Sequence, residues 1–323
     1  MKDGRRPDVA VKLAKNTAMT KEKIKEMMRE ARLMRNFSYH PNIVQLYGVA
    51  VEREPLMIVM ELVNGGALDE YLKNHKECTT SERLDNMVCG AAFGLEYLHS
   101  VPVLHRDIAA RNCLYSNGVC KISDFGLSRE GEKYVLQVVR KCPIKWLAPE
   151  VIQTLTYTQK TDIWSFGIFA WEVFAGSEPY PGMNNAEVKE RVTNGYKMEF
   201  PCETPPDLVQ LITDICWAME PDKRSTMKEL VVRLCAISGV VPPVVTQSNM
   251  SNIASGQDII PGQEDKEKER KHKKKGHKKS KKEQREKERD KDRGKEREKD
   301  KEKDDDYVSE SSRVVKKHKK RKI

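Results

Sequence analysis

Apolar and polar residues alternate over residues 8–14, a pattern that is typical of a β-strand, and two further short segments rich in apolar residues have the composition of strands. The three segments cover residues 8–14, 43–51 and 56–62 and are rich in β-branched or long aliphatic side chains. Between the first two, residues 20–35 carry apolar side chains at helical spacing, and Thr20 is a suitable N-cap. The pattern therefore predicts a small β-rich part that contains one helix.

The periodicity changes after the Asn-Gly-Gly sequence at residues 64–66. Beyond it, apolar residues recur every three or four positions, which predicts a larger helical part. The predicted helices cover residues 68–74, 81–100, 160–175, 186–194 and 206–219. We therefore expect an α+β domain over residues 1–240 with two lobes. The smaller covers about residues 1–61, a hinge covers 61–66, and the larger lobe covers 67–240.

Positive charge is concentrated at the C-terminal end of the chain. The whole chain has a formal net charge of +10, whereas residues 264–323 hold 28 basic and 17 acidic side chains, a net charge of +11. This Lys/Glu-rich tail has no apolar stripe and is predicted to be disordered. Residues 241–263, rich in Pro, Ser and Gly, are predicted to be a linker.

The eight cysteines show no C-x-x-C spacing, so we expect reduced thiols and no metal cluster. The N-terminus has no apolar leader, and the longest apolar runs are too short or too interrupted to span a bilayer. These features favour a cytoplasmic protein, and we expect it to be a monomer.

Three motifs in a fixed order carry the candidate chemistry. Residues 105–112 (HRDIAARN) are followed by residues 124–126 (DFG) and then by residues 148–150 (APE). Upstream, Lys12 ends a Val-Ala-Val run, and Glu30 lies on the predicted helix. Each feature alone could be a surface charge or a helix cap, but this order and spacing is typical of a protein kinase catalytic core.

Through these motifs the chain resembles the protein tyrosine kinases over residues 8–238, particularly the Fes/Fer non-receptor group. Further matching segments are residues 40–44 (HPNIV), 58–61 (IVME), 145–150 (KWLAPE) and 162–167 (DIWSFG). The resemblance implies a two-lobed protein kinase fold. It also implies transfer of the ATP γ-phosphate to tyrosine residues of protein substrates, with Mg²⁺ as cofactor.

The resemblance assigns a role to each motif residue. Asp107 would orient the substrate hydroxyl and accept its proton, and Arg111 would reach the same charged region. Lys12 would hold the α- and β-phosphates and pair with Glu30. Oxygen ligands suit a hard cation, and the predicted metal ligands are Asn112 and Asp124.

The predicted nucleotide pocket lies at the hinge. Ala10 and Leu114 would sandwich the adenine ring, next to Met60 and the hinge residue Glu61. A tyrosine substrate is favoured because Ala109 stands where serine/threonine kinases usually carry a lysine, two residues after the catalytic aspartate.

Pro143 and Trp146 are predicted to form a shelf for the substrate's aromatic ring, although Trp146 is also a plausible core residue. Tyr134 lies between the DFG and APE motifs. A phosphate on it would add nearly two negative charges and order the loop by pairing with arginine. We therefore expect Tyr134 to be regulatory. The candidate arginines are Arg106, Arg129 and Arg140.

Two structural contacts are also implied by the resemblance. Glu150 and Arg224 would form an ion pair within the helical lobe. An apolar column would link the two lobes in the active state. The residues of that column are Met34, Leu46, His105 and Phe125.

No Gly-x-Gly-x-x-Gly precedes Lys12, so we expect a truncated N-terminal lobe without the family's Gly-rich loop. That loop covers the phosphates with backbone N–H groups, and its loss should weaken catalysis. The main hypothesis is a non-receptor tyrosine kinase, which the intact motif residues favour. The alternative is a catalytically weak scaffold with a kinase fold, anchored by its basic tail.

The basic cluster at residues 316–322 (KKHKKRK) has two interpretations. It is either a solvated charged segment or a binding element for an import receptor, nucleic acid or an anionic membrane surface. The second interpretation makes the nucleus an alternative location.

Overall fold

A computed structural model describes residues 8–13, 21–51, 55–136 and 142–244. Thr20 and Arg140 lie outside this set, and the predicted linker is described only as far as Val244. The predicted tail at residues 264–323 also lies outside it, so its disorder stays a prediction.

The N-terminal part is an antiparallel sheet with spatial order β1-β3-β2, together with one helix. Side chains alternate across β1: Val11 and Leu13 are exposed on one face, and Lys12 is half-buried on the other. Lys12 lies opposite Ile58 across the ladder. The elements are β1 (Val9–Leu13), α1 (Lys21–Arg35), β2 (Leu46–Ala50) and β3 (Met57–Glu61).

The C-terminal part is mainly helical. Its α-helices are α2 (Leu68–Asn74), α3 (Cys89–Ser100), α4 (Pro149–Thr154), α5 (Gln159–Ala175), α6 (Asn185–Thr193), α7 (Pro206–Leu211) and α8 (Met227–Ser238). Wider π-helical turns at Glu82–Val88 and Ile212–Cys216 extend α3 at its start and α7 at its end. The helices predicted over residues 81–100 and 206–219 are therefore present, although each includes a π-helical turn.

Three small antiparallel pairs lie between the helices. They are β4 (Val103–Leu104) with β7 (Arg129–Glu130), β5 (Cys113–Ser116) with β6 (Val119–Ile122), and β8 (Lys133–Val135) with β9 (Thr156–Thr158). These pairs hold the segments that carry the predicted motifs. The periodicity of the sequence did not predict them, because strands this short show too few alternations.

Helix α5 is the centre of the hydrophobic core. Thr158 caps it in a capping box with Thr161, and Gly176 ends it with a left-handed φ of 60°. Every residue from 161 to 174 is buried, including two carboxylates discussed below. No helix in the described ranges is both long and apolar enough to cross a membrane.

The predicted ion pair between Glu150 and Arg224 is present and bidentate. The Arg224 Nη1 and Nη2 atoms lie 2.7 and 2.9 Å from the two Glu150 carboxylate oxygens. Arg224 is fully buried, so this pair fixes α4 to the segment that precedes α8. All eight cysteines are free thiols, as predicted.

Candidate active site

The side chains of Lys12, Glu30 and Asp124 meet in one ionic cluster. The Lys12 Nζ atom lies 2.8 Å from Glu30 Oε1, 2.9 Å from Glu30 Oε2 and 3.1 Å from Asp124 Oδ1. Strand β1 contributes the lysine, helix α1 the glutamate, and the loop after β6 the aspartate. Residues far apart in sequence are therefore brought together as the motif order predicted.

The charges in this cluster depend on one another. Burial raises the pKa of Glu30, and Lys12 offsets only part of that rise. Burial alone would lower the pKa of Lys12, but Glu30 and Asp124 outweigh it and the pKa is raised. Burial would likewise raise the pKa of Asp124, but Lys12 outweighs it and the pKa is lowered. Lys12 is therefore held as a cation beside an ionised Asp124.

Asp107 and Arg111 form the second charged pair. Arg111 Nη2 donates a hydrogen bond to Asp107 Oδ1, four residues earlier in the predicted catalytic loop, residues 105–112. The amide of Asn112 donates to the Asp107 carbonyl oxygen at 2.8 Å. The Asn112 carbonyl in turn accepts from the Ser123 backbone N–H and hydroxyl, both at 2.8 Å. These bonds fix the catalytic loop to the segment that carries Asp124.

A buried carboxylate on α5 holds the backbone of the catalytic loop. Asp162 accepts hydrogen bonds from the backbone N–H groups of His105 and Arg106, both at 2.8 Å, and its Oδ2 lies 3.2 Å from His99 Nε2. Arg106 has a left-handed φ of 70°, which is costly for a residue with a side chain. Asp162 therefore stabilises the backbone conformation that presents Asp107.

The predicted apolar column is largely buried. Met34, His105 and Phe125 are buried, and Leu46 packs against the core cluster that contains Met34 and Phe125. The Phe125 ring meets the His105 ring edge-on, with centroids 5.3 Å apart. The ring of Phe37, which was not predicted, also meets the Phe125 ring edge-on, with centroids 5.1 Å apart. Phe125 therefore points inward while Asp124, with a φ of 55°, remains half-exposed.

The predicted substrate shelf lies against the catalytic loop. Arg111 stacks its guanidinium over the Trp146 ring, 4.0 Å from the centroid. The indole Nε1 of Trp146 donates to Glu172 Oε2 at 2.9 Å. Pro143 is half-buried at the start of the same turn and lines a neighbouring cavity of about 700 Å³. That cavity also exposes Lys12, Asp124 and Tyr134.

Tyr134 lies on β8 beside two of the three predicted arginines. The Arg106 guanidinium carbon is 4.3 Å from the Tyr134 ring centroid and 4.2 Å from that of Tyr157. Arg129 covers the same Tyr134 ring at 5.1 Å. Burial would raise the pKa of Tyr134, but Arg129 and Arg106 outweigh it and the pKa is lowered. The surroundings of this hydroxyl therefore already favour negative charge.

The predicted adenine contacts lie on neighbouring strands. Ala10 pairs with Met60 across β1 and β3. Glu61 forms an ion pair with Lys121 at 2.9 Å, and Lys121 faces Leu114 across β5 and β6. The end of β3 is thereby joined to the strand that carries Leu114. The roles of these four residues in nucleotide binding stay predictions.

Sequence reasoning missed two residues that organise the site, Asp162 and Glu172. Both are carboxylates in the mainly apolar helix α5, and both are at least 95% buried. A charged residue inside an apolar helix is almost always paired when buried. That signal was visible in the sequence, but it did not reveal that the partners lie in the catalytic loop and the shelf.

Known proteins match the same part of the chain. A family model described as protein tyrosine and serine/threonine kinase matches residues 1–234. Fer-related kinase 1 of Caenorhabditis elegans is 44% identical over 72% of this chain and 59% of its own length. Tyrosine-protein kinase Fer of Homo sapiens is 42% identical over 71% of this chain and 28% of its own length.

A viral relative matches a similar share of this chain. Tyrosine-protein kinase transforming protein Fps of an avian sarcoma virus is 38% identical over 71% of this chain and 43% of its own length. The chain thus spans between about a quarter and three fifths of the length of these relatives. The predicted resemblance to the Fes/Fer group is confirmed. By its motifs, its α+β fold and this match, the chain belongs to the protein tyrosine and serine/threonine kinase family.

Proposed function

We propose that this protein is an ATP-dependent protein tyrosine kinase that acts on tyrosine residues of other proteins. The observation that carries the proposal is the presence of two charged pairs in segments that Asn112 joins. Asn112 bonds both to Asp107 and to Ser123, the neighbour of Asp124. Lys12 is held by Glu30 and Asp124 on the nucleotide side, and Asp107 is held by Arg111 on the substrate side. A kinase needs both sets in place at once.

Each residue has a separate task in the transfer. Lys12, kept charged by its carboxylate neighbours, would neutralise the α- and β-phosphates of ATP. Asp107 would accept a hydrogen bond from the tyrosine hydroxyl, align it for in-line attack and receive its proton. Arg111 would keep the Asp107 carboxylate in a fixed orientation. Positioning and charge stabilisation of this kind account for most of phosphoryl-transfer catalysis.

The donor set also fits a magnesium ion. Asn112 uses its amide N–H₂ on the Asp107 carbonyl, which leaves its side-chain oxygen available as a ligand. Asp124 is half-exposed, and Lys12 and Gly126 both donate to its Oδ1 atom. Both ligands are hard oxygens, as Mg²⁺ requires. The bound ion would neutralise charge that develops on the phosphoryl oxygens.

Tyrosine rather than serine is favoured by the stack of Arg111 on Trp146. Arg111 donates to Asp107 while its guanidinium stacks on the Trp146 ring, so the pair forms a wall with an aromatic surface beside this carboxylate. An aromatic side chain long enough to pass this wall would bring its hydroxyl to the carboxylate. The shorter side chain of serine would fall short of it. The name of the Fer relative, a tyrosine-protein kinase, supports the same substrate class.

The test is transfer of radiolabelled phosphate from ATP to a Glu/Tyr copolymer by the 323-residue chain in the presence of Mg²⁺. Asp107→Asn should lower the rate at least 100-fold, since general-base groups contribute about 10²–10⁴-fold. Asp214→Asn is the matched control, because Asp214 is exposed in the turn Ile212–Cys216 and belongs to none of the motifs. On a protein substrate that also carries serine and threonine, phosphoamino-acid analysis should find phosphotyrosine alone.

Two results would contradict the proposal. Transfer that persists in Asp107→Asn would show that another protein or another residue carries the reaction. No transfer by a folded wild-type chain that binds ATP would instead favour the alternative, a scaffold with a kinase fold. Circular dichroism and a melting curve distinguish that outcome from misfolding.

A further inference from the structure

Glu172 is a buried carboxylate that joins two parts of the site. Only 5% of the residue is exposed. Its Oε2 atom accepts two hydrogen bonds, one from the Trp146 indole Nε1 at 2.9 Å and one from the Ala110 backbone N–H at 3.0 Å. Trp146 belongs to the shelf, whereas Ala110 belongs to the catalytic loop. One oxygen therefore fixes the distance between these two segments.

Arg111 is a second connection between the shelf and the catalytic loop. Its backbone directly follows Ala110, its guanidinium stacks on the Trp146 ring at 4.0 Å, and its Nη2 donates to Asp107. A shift of the indole would therefore remove the surface on which the guanidinium rests. The Asp107 carboxylate would then lose the donor that fixes its orientation.

The carboxylate is retained at an energetic cost. Burial raises the pKa of Glu172 to about 7, even though Trp146, Ala110 and Arg111 all act to lower it. Burial destabilises the ionised form of this carboxylate, so its contribution to folding comes from the two hydrogen bonds it accepts rather than from its charge. Its hydrogen-bonding geometry is the feature that an apolar residue could not replace.

The surroundings of Glu172 contain further polar groups. A cavity of about 280 Å³ is lined by Glu172, Arg111 and Trp146, and by Asp69 of helix α2. Within the described residues, Arg111 Nη1 and Asp69 Oδ1 are buried there without a hydrogen-bond partner. Lys73 and Glu178 line the outer part of the same cavity. Arg111 is thus held by Asp107 and by the Trp146 ring rather than by the carboxylate of Asp69.

We propose that Glu172 is a positioning residue of the kinase reaction. It holds the Trp146 indole and the Ala110 backbone so that Arg111 stays stacked on the shelf and bonded to Asp107. Placement of the substrate's aromatic ring is thereby coupled to orientation of the catalytic base. This role rests on the proposed function, and it adds no group that touches the reacting atoms.

Steady-state kinetics on the Glu/Tyr copolymer and ATP test this role in the full chain. Glu172→Ala should lower kcat/KM for the copolymer at least tenfold and leave the KM for ATP within twofold. Glu172→Gln should restore most of the rate, because its amide oxygen can still accept from both N–H groups. Glu178→Gln is the matched control in the same cavity. Glu178 is 69% exposed and pairs with Lys145, and its replacement should change nothing.

A double-mutant cycle isolates the indole contact. Trp146→Phe keeps a ring under Arg111 but removes the N–H, so it should lower kcat/KM without an ATP effect. In that background Glu172→Ala should add less than threefold. The single variant Trp146→Phe keeps the test valid if Glu172→Ala fails to fold, and a normal kcat/KM in Trp146→Phe would then overturn the role.

Three further results would overturn the role of Glu172. They are normal rates in Glu172→Ala, equal losses in the Gln and Ala variants, and an undiminished Glu172→Ala effect in the Trp146→Phe background. A wild-type chain that transfers no phosphate would instead remove the proposed function and this role together.

Discussion

The two sides of the site are built differently. On the nucleotide side, the side chain of Lys12 is 40% exposed and that of Asp124 is 53% exposed, so their ion pair is open to solvent. On the substrate side, the catalytic loop rests on Asp162 and Glu172, which are 1% and 5% exposed. The first side includes an ion pair that is open to solvent, although Glu30 is buried, and the second side is held by hydrogen bonds in the core.

This difference indicates a division of labour between the two sides. Exposed ion pairs contribute little to stability, so Lys12 is available to exchange its protein partners for phosphate. Buried acceptors that hold backbone N–H groups are costly to remove, so the Asp107 loop is fixed before substrate arrives. Substitutions on the two sides should therefore separate stability from activity. We make five predictions, in order from the largest expected effect on stability to the smallest.

Asp162→Ala should cause the largest loss. It leaves the His105 and Arg106 backbone N–H groups without their acceptor and no longer supports the left-handed φ of Arg106. Each buried unsatisfied donor costs about 1–3 kcal/mol, so we expect a loss of about 3 kcal/mol in urea denaturation. Asp162→Asn, which retains one acceptor oxygen, should lose about half as much. A loss below about 1 kcal/mol would show that the core does not hold this loop.

The pH dependence of stability should come from two buried groups of opposite sign. Burial, with a smaller effect of Lys121, lowers the pKa of His40 to about 4. His40 takes up its proton less readily in the folded state, so its contribution is complete above pH 6.5 and is lost as the pH falls towards 4. The full loss is about 3 kcal/mol. His40→Asn keeps an acceptor for the Asn42 N–H and should flatten this slope.

Glu172 should act in the opposite direction. Its pKa is raised from 4.5 to about 7, so the folded state binds the proton more tightly than the unfolded state. Its effect is a stability that falls as the pH rises from about 4.5 to 7, by about 3 kcal/mol. The two slopes should largely cancel in wild type between pH 4.5 and 6.5. Urea denaturation at several pH values should reveal the Glu172 slope in His40→Asn and the His40 slope in Glu172→Gln. If the stability curves of both variants run parallel to that of the wild type, both assignments are wrong.

Lys12→Met should separate activity from stability. The Lys12–Asp124 pair is exposed, but the Glu30 side chain is only 5% exposed and loses its cation, so the free energy of unfolding should fall by about 1–2 kcal/mol as Glu30 takes up a proton. Phosphate transfer should nevertheless fall at least 100-fold, because the phosphates lose their cation. Lys223→Met is the control, since Lys223 is 67% exposed and pairs with Glu220 away from the site. A large stability loss in Lys12→Met would make the nucleotide side structural as well.

The sequence predicted the nucleotide side better than the core side. The pairing of Lys12 with Glu30 was predicted from motif order. Helices α1 and α5 were each predicted from helical periodicity. The supports of the catalytic loop could not be paired, because Asp162 and Glu172 contact backbone N–H groups and an indole. Such partners lack a sequence signature, since every residue except proline offers the same backbone donor. The short strands around the motifs were missed for a related reason, because two to four residues show no period.

Tyr134→Phe should leave stability almost unchanged. The phenyl ring can still lie against Arg106, so the unfolding free energy should change by about 0.5 kcal/mol or less. We expect phosphorylation of Tyr134 to activate, because Arg106 and Arg129 can pair with the phosphate. The variant should therefore transfer phosphate more slowly but bind ATP normally. An unchanged rate after full phosphorylation of the other tyrosines would remove this regulatory role.

Deletion of residues 264–323 should have the smallest effect on stability. Apart from two glycines, residues 264–306 are all polar or charged. This composition offers nothing to bury against the domain. The melting temperature and kinase rate should be nearly unchanged. Binding to anionic vesicles or nucleic acid should weaken, because the segment carries a net charge of +11. That binding should fall steeply between low and physiological salt in the full chain. A fall of many degrees in melting temperature would instead show that the fold extends beyond the kinase domain.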